Sequence, residues 1–233
     1  MSTVNPVTLE CNQICIEDDL RMGRVMGWKV FRETTDFLER ALRPHKVVIA
    51  GGAIRDMYMV GEAMIKDYDA WVLDVEEVHV PQIDKALQEA YRGMSTIYPA
   101  DSNWTDYPQR TFHSPKANII FPWVPGKKPT QIMYSGYKTI EELIANFDWH
   151  CCAFGLQSEK LLTDGITDFN EGRLSLNETT IHNPKSTLRR GFHLEQKYRT
   201  NSEGLRLRLP NELILALAAM LNLNPRNGTN QKS

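Results

Sequence analysis

Neither sign of charge is in excess in this 233-residue chain: 27 Lys and Arg stand against 29 Asp and Glu, and the pI is about 6.3. That balance excludes a generally basic nucleic-acid coat, while leaving room for a local basic patch. Long apolar runs are missing too. None reaches the roughly 20 residues that span a bilayer, so no membrane partner is expected. The first 19 residues lack the basic-then-apolar order of a signal peptide. With only four cysteines, reduced thiols in a cytoplasmic setting are expected rather than a disulfide framework. Internal repeats and low-complexity tracts are absent. The three-glycine spacing of a dinucleotide fingerprint does not occur, and Gly126-Lys127-Lys128-Pro129-Thr130 lacks the upstream glycine of a phosphate loop.

What is present suits one main globular domain. Apolar residues make up 42% of the chain and charged residues 24%, which is ordinary for a soluble protein. At this length folding buries roughly 70% of the unfolded surface, enough for a core without disulfide or metal. Val30, Phe31, Phe37, Leu38 and Leu42 recur at helical spacing and predict a helix over 27–42, stopped by Arg43-Pro44. A β-rich run over 46–50 ends at Gly51-Gly52, a short helix follows over 53–60, and a strand over 67–73. Further helices are expected over 80–91, 139–145, 186–198 and 211–223. Further strands are expected over 117–121 and 130–134, joined by a hairpin tip, and over 151–156 and 160–162. The polar stretch 100–109 reads as a long loop. Strands mixed with helices in this order predict an α/β (α+β) fold around one mixed central sheet, with a C-terminal helical neck. The expected organisation is an N-terminal extension (1–26), a head (27–180), the neck (181–223) and a disordered tail (224–233).

Two short motifs carry chemistry. Gly51-Gly52-Ala53-Ile54-Arg55-Asp56 sits where a strand turns into a helix. Paired glycines there let backbone approach a ligand closely, and the N–H groups of a helix start favour a phosphate. The same residues also suit a plain tight turn with a surface Arg-Asp pair. Eleven residues beyond Asp56 comes Lys66-Asp67-Tyr68-Asp69. Strand residues two apart share a face, so Asp67 and Asp69 present two carboxylates side by side. Such a pair repels itself unless a cation lies between, and oxygen-only ligands suit Mg²⁺ or Mn²⁺ shared with substrate phosphates. An exposed strand end with two solvated acids is the simpler alternative.

In combination the two motifs resemble the polymerase-beta-type nucleotidyltransferase superfamily, most closely the head of class II tRNA nucleotidyltransferases and poly(A) polymerases. There Gly-Gly-x-Val-Arg-Asp precedes Asp-x-Asp on the next strand. Residues 140–153, with Asn146-Phe147-Asp148-Trp149, are similar to the family's acidic helix and the segment after it. Ile166-Thr167-Asp168-Phe169-Asn170-Glu171-Gly172 is similar to its Ile-Asp-Pro-Phe-Gly-Gly, and Ser186-Thr187-Leu188-Arg189-Arg190 falls where its neck helix begins. The resemblance covers residues 46–198.

It implies a transferase moving NMP from an NTP to an acceptor hydroxyl, with Asp67 and Asp69 holding the metal. Gly51, Gly52, Arg55, Lys66, Arg189 and Arg190 are the implied nucleotide-binding residues, and Asp148 the implied third catalytic carboxylate. An RNA 3′ end is the favoured acceptor. A protein-modifying, antitoxin-like transferase and a catalytically quiet nucleotide- or RNA-binding module are the alternatives. Three departures from the family stand out. Asn146-Phe147 replaces two arginines, Gln131 stands where many relatives carry a third acid, and no Glu-Asp-x-x-Arg follows the neck. The body and tail that grip a tRNA are not expected.

Three other groups fit structural and functional readings alike. His150, Cys151 and Cys152 with Cys11 and Cys15 are expected as free thiols and a histidine, not a shared zinc site. The aromatics Trp104, Tyr107, Phe112, Phe121 and Trp123 suit core packing or base stacking. The basic stretch 185–208 suits a solvated helix face or an RNA backbone.

Overall fold

Eight strands form one mixed sheet in a computed structural model of the chain, which describes residues 12–15, 25–61, 64–90, 97–98, 110–157, 160–181, 183–199 and 206–223. In chain order they are β1 (Asn12–Cys15), β2 (Val47–Ala50), β3 (Tyr68–Val72), β4 (Ile97–Tyr98), β5 (Thr111–Ile119), β6 (Thr130–Ser135), β7 (Phe154–Gln157) and β8 (Lys160–Thr163). Their order across the sheet is β1-β8-β7-β2-β3-β6-β5-β4. Only β3 and β6 run parallel among these pairs, and Asp69 of β3 is registered with Gln131 of β6. All four residues of β2 are buried, so the middle of the sheet is covered on both faces.

The helices are α1 (Val25–Ala41), α2 (Gly52–Met59), α3 (Val80–Ala90), α4 (Ile140–Ile144), α5 (Ile166–Glu171), α6 (Pro184–Arg199) and α7 (Asn211–Leu223). In α1 the buried positions Val30, Phe31, Thr34, Thr35 and Leu38 form one stripe at spacings of three and four, which seats the helix against β2. Thr139 caps α4 by accepting the Glu142 N–H, and Glu142 returns a bond to Lys138 N–H. Gly155 in β7 lets α4 lie against the sheet: a Cβ there would come within 2.6 Å of Ile140.

Several expected boundaries moved. The strand anticipated at 117–121 is the longer β5, which breaks register between His113 and Asn118; Pro115, with no N–H to give a ladder, falls in that break. Residues His150–Cys152 form a 3₁₀ turn rather than the start of a strand, because the buried Asp168 carboxylate accepts the Cys151 N–H at 3.0 Å and holds the turn. The polar N-terminal stretch contains β1, which is ordered by its ladder with β8 rather than by any pattern of its own. Cys11, Trp104, Tyr107, the expected loop 100–109 and the tail 224–233 lie outside the described residues. Among the described residues, no helix is long and apolar enough to cross a membrane.

Candidate active site

Strand β2 delivers the chain to Gly51, which holds φ +88° and ψ −138°, a conformation that a Cβ would strain. Its N–H donates to Phe154 O at 2.7 Å, and its carbonyl accepts the Arg55 N–H at 3.2 Å as α2 begins. In β3, Ala70 pairs with Ile49, so Asp69 emerges one residue earlier, beside this turn. A Cβ built on Gly51 would lie 3.9 Å from Asp69 Oδ2. Asp67 lies just before the strand and is exposed, two residues from Asp69 and therefore on the same side.

The electrostatics of this pair are unfavourable as it stands. Burial, and then the like charge of Asp67, push the Asp69 carboxyl up to about 8, against the pull of Arg190. Asp67, though exposed as a residue, is raised too: partial desolvation of its carboxyl by the surrounding protein comes first, with Lys197 opposing and Asp56 adding to the rise. Two carboxylates that resist ionising together, beside a backbone turn with no side chain in the way, suit a divalent cation whose remaining ligands are phosphate oxygens. The donor set therefore fits Mg²⁺ or Mn²⁺. Among the described residues there is no group of three or more His, Cys, Asp or Glu side chains positioned to hold a metal.

Opposite the turn lies α6. Its residues Arg190, His193, Leu194 and Lys197 follow the i, i+3, i+4, i+7 spacing of one helix face. The first three join Gly51, Gly52, Arg55 and Asp69 in lining a pocket of about 250 Å³. Arg55 is buried and bonded on several sides: it donates to Asp56 Oδ1 at 2.9 Å, to the Tyr198 hydroxyl at 2.8 Å and to Cys152 Sγ at 3.2 Å. Asp56 in turn accepts from Lys197 and from Tyr198. Burial would raise Asp56, but Arg55 and Lys197 hold it below the usual carboxylate range. The Arg55–Asp56 pair, which the tight-turn alternative put on the surface, is instead a buried clamp between α2 and α6, and Arg55 also lines the pocket.

Asp148 occupies surroundings different from those expected of a third metal-binding acid. Its Oδ1 accepts Arg190 at 2.6 Å and the Trp149 N–H at 3.0 Å, and its Oδ2 accepts the Thr187 hydroxyl at 2.8 Å. Those bonds aim both oxygens at α6 and fix Arg190 at the pocket. Lys66 is exposed on the approach to β3, near enough to act electrostatically on Asp67 and His193. Arg189 is exposed one helical step, about 100°, from Arg190.

His193 and Cys152 are pocket residues that sequence reasoning did not single out for the site. Burial, followed by the positive charges of Lys66, Lys197 and Arg55, lowers the His193 imidazole below its ordinary value. The signal for it was the helical spacing from Arg190, usable only once the facing side of α6 was known. Cys152 is lowered by its hydrogen bond with Cys151, against burial, and by Arg55. Phe121 and Trp123 stack on each other with centroids 4.7 Å apart, and the Trp123 indole N–H donates to Thr34 of α1, so this pair packs into the core.

Comparison with solved structures shows the fold. The fold is similar to the Thermotoga maritima CCA-adding enzyme complexed with tRNA (TM-score 0.58, 16% identity, 91% of this chain and 46% of that one). It is also similar to a CCA-adding enzyme with ATP (0.57, 14%, 91% and 46%) and to an apo form of a CCA-adding enzyme (0.55, 13%, 91% and 48%). This is the nucleotidyltransferase fold, and the chain spans about half the length of these neighbours. No curated protein sequence matches. Residues 28–171 match the Gabija anti-defense 2 family, and the chain belongs to that family. The resemblance to nucleotidyltransferases therefore holds for the fold, while the family is a different one from the tRNA-repairing class.

Proposed function

We propose that the chain is a nucleotidyltransferase that moves NMP from an NTP to an acceptor hydroxyl, with Mg²⁺ or Mn²⁺ held by Asp67 and Asp69. The observation that carries this reading is the placement of Asp69 against the Gly51 turn, its carboxyl raised by burial and by Asp67, in a pocket walled by Arg55 and Arg190. When bound, the metal would lower the pKa of the acceptor hydroxyl and neutralise charge on the triphosphate. The chain's own residues do the rest. Backbone at Gly51-Gly52 gives phosphate oxygens close approach, because no side chain stands there. Arg55 and Arg190 supply positive charge already oriented by Asp56 and Asp148, so little reorganisation is needed on binding. Lys66 and Arg189 extend that field from the exposed rim. Trp71 and Phe147 close the apolar side of the pocket and limit water.

In our reading, supported by the family's description as Gabija anti-defense, this chemistry acts against that defence, and the acceptor hydroxyl belongs to an RNA 3′ end or a protein side chain. A second reading, a catalytically quiet nucleotide-binding module, draws on Gln131: an amide, registered with Asp69, stands where a third acid would complete the site. One assay separates them. Pyrophosphate release is measured for each NTP with Mg²⁺ or Mn²⁺, with and without total RNA and host protein, for wild type and Asp69→Asn. The transferase reading expects metal-dependent release in wild type and a loss of at least ~10²-fold in the folded mutant, comparable to removing one strong electrostatic group from an active site. Activity above a tenth of wild type in that mutant sinks the two-aspartate mechanism, and NTP binding without turnover in wild type establishes the quiet module.

A further inference from the structure

A second cavity, of about 400 Å³, lies on the other flank of α6 and is lined by Glu195, Arg199, Arg206, Leu207 and Arg208. Beyond α6 the described chain resumes at Arg206. Leu207 and Leu209 are buried, and Arg206 and Arg208, two residues apart, are both exposed. The backbone is pinned at Arg208, whose N–H donates to Gly172 O at 3.0 Å and whose carbonyl accepts the Leu174 N–H at 2.9 Å, and is anchored on either side by buried Leu207 and Leu209. The two guanidinium groups thus rise from a rigid base. Across the cavity Arg199 makes a 3.5 Å ion pair with Glu195. Three arginines against one glutamate, in a chain whose net charge is −2, are a local concentration and not a reflection of overall composition. Nearby Arg173 is occupied by Glu212 at 3.4 Å.

A separate feature lies on the same face of α6. Phe192, Glu195 and Arg199 stand at i, i+3 and i+7, roughly opposite the Arg190–His193–Lys197 face, and Phe192 is 46% exposed. We propose that Phe192 and the arginine cavity together bind single-stranded nucleic acid, at a site separate from the transfer pocket. Guanidinium forks match phosphate oxygens two at a time, which a carboxylate-studded protein surface does not need a concave cavity to offer. An exposed aromatic supplies a stacking platform for a base, and every base has a face to give it. From Phe192 to Arg199 the helix rises about 10 Å, a span that a short strand bridges from a stacked base to its downstream phosphates. Glu195 opposes the strand and gives up its pair with Arg199 when the strand binds.

This site stands independently of the transfer reaction, and the test keeps the two apart. Fluorescence anisotropy of labelled 12-mer oligo(U) and oligo(dT) is measured over a salt series for wild type, Arg206→Ala/Arg208→Ala, Phe192→Ala and Glu195→Gln, each checked by thermal melting. The double arginine variant is expected to bind at least tenfold more weakly, with the log–log salt slope reduced by about 1.4, the value for two lost phosphate contacts on a single strand. Phe192→Ala should weaken binding roughly fivefold or more with the slope unchanged. Glu195→Gln should tighten binding, and the folded Arg206→Ala/Arg208→Ala variant should keep wild-type affinity for a non-hydrolysable NTP, which separates this site from the transfer pocket. The ratio of oligo(U) to oligo(dT) affinity tells an RNA from a DNA strand. Absence of binding by wild type at low salt overturns the site, as does a folded double variant that binds like wild type.

Discussion

Gly51 and Asp69 depend on each other through backbone conformation more than through space. A methyl group at Gly51 would sit at ordinary contact distance, 3.9 Å, from both Asp69 Oδ2 and Phe147 Cζ. Its φ of +88° is the obstacle, and an L-residue forced there costs about 1–3 kcal/mol. Gly51→Ala is therefore expected to lower the melting temperature by roughly 2–12 °C, taking 2–4 °C per kcal/mol for a chain of this size. On the proposed function, NTP affinity should fall further than the stability loss alone requires, since the turn lines the pocket proposed to take the phosphates. Isothermal titration with a non-hydrolysable NTP checks this; unchanged affinity in the folded variant would remove the turn from the binding site. At this scale the two motifs were legible because each residue type does something few others can: glycine at positive φ, and paired carboxylates beside it. Asp148 was misleading for the same reason. A carboxylate near a motif looks like a ligand, and nothing local reveals that Thr187 and Arg190, some forty residues on, take its oxygens.

Helix α6 is the element that turns a sheet edge into a pocket. It is seated by Gly191, where a Cβ would come 2.6 Å from Trp149 Cζ2, and by the Trp149 indole N–H donating to Thr187 O at 3.0 Å. Gly191→Ala overpacks that seat. It should destabilise by about 1–3 kcal/mol and push the Arg190–His193 face off the glycine turn, so that KM for NTP rises with kcat changed less. A variant as stable as wild type, with wild-type KM, would show that the seat does not set the pocket. Helices such as α7, found at the residues expected, were readable from their period because the apolar stripe that marks a helix is also what seats it. Strand β1 was unreadable because its order comes from β8 across the sheet, and the 3₁₀ turn at His150–Cys152 because its support is Asp168, sixteen residues away from Cys152. Which face of α6 meets the sheet was likewise settled by Trp149 and Gly191, not by α6 alone.

For the whole molecule the buried Arg55–Asp56–Lys197–Tyr198 clamp links α2 to α6, and it titrates. Asp56 has an ordinary value of 3.8 and is held below it when folded; burial opposes this, and Arg55 and Lys197 outweigh burial. Between the folded value and 3.8 the unfolded chain therefore binds more protons than the folded one, so stability rises with pH across that window. The contribution is complete above 3.8 and is lost as pH falls through the folded value. Asp168 acts in the opposite sense: burial raises it, against the hydrogen bonds of Ser175, so the folded state holds the extra proton and gains stability as pH falls toward 3.8. The two groups therefore pull in opposite directions in acid, and the clamp's contribution is the one lost as pH falls below 3.8. Lys197→Met isolates the clamp, because Arg55 still pairs with Asp56 at 2.9 Å while one of the two cations holding the carboxylate down is gone. The Asp56 carboxyl then moves back up, and the midpoint of acid unfolding, followed by circular dichroism from pH 7 to 2, should shift upward toward neutral. Because α6 carries His193 and Arg190 on the same face as Lys197, the acid arm should be accompanied by loss of NTP binding at the same pH or slightly above it. An acid midpoint that stays where wild type has it would show that the clamp does not govern how this molecule unfolds in acid.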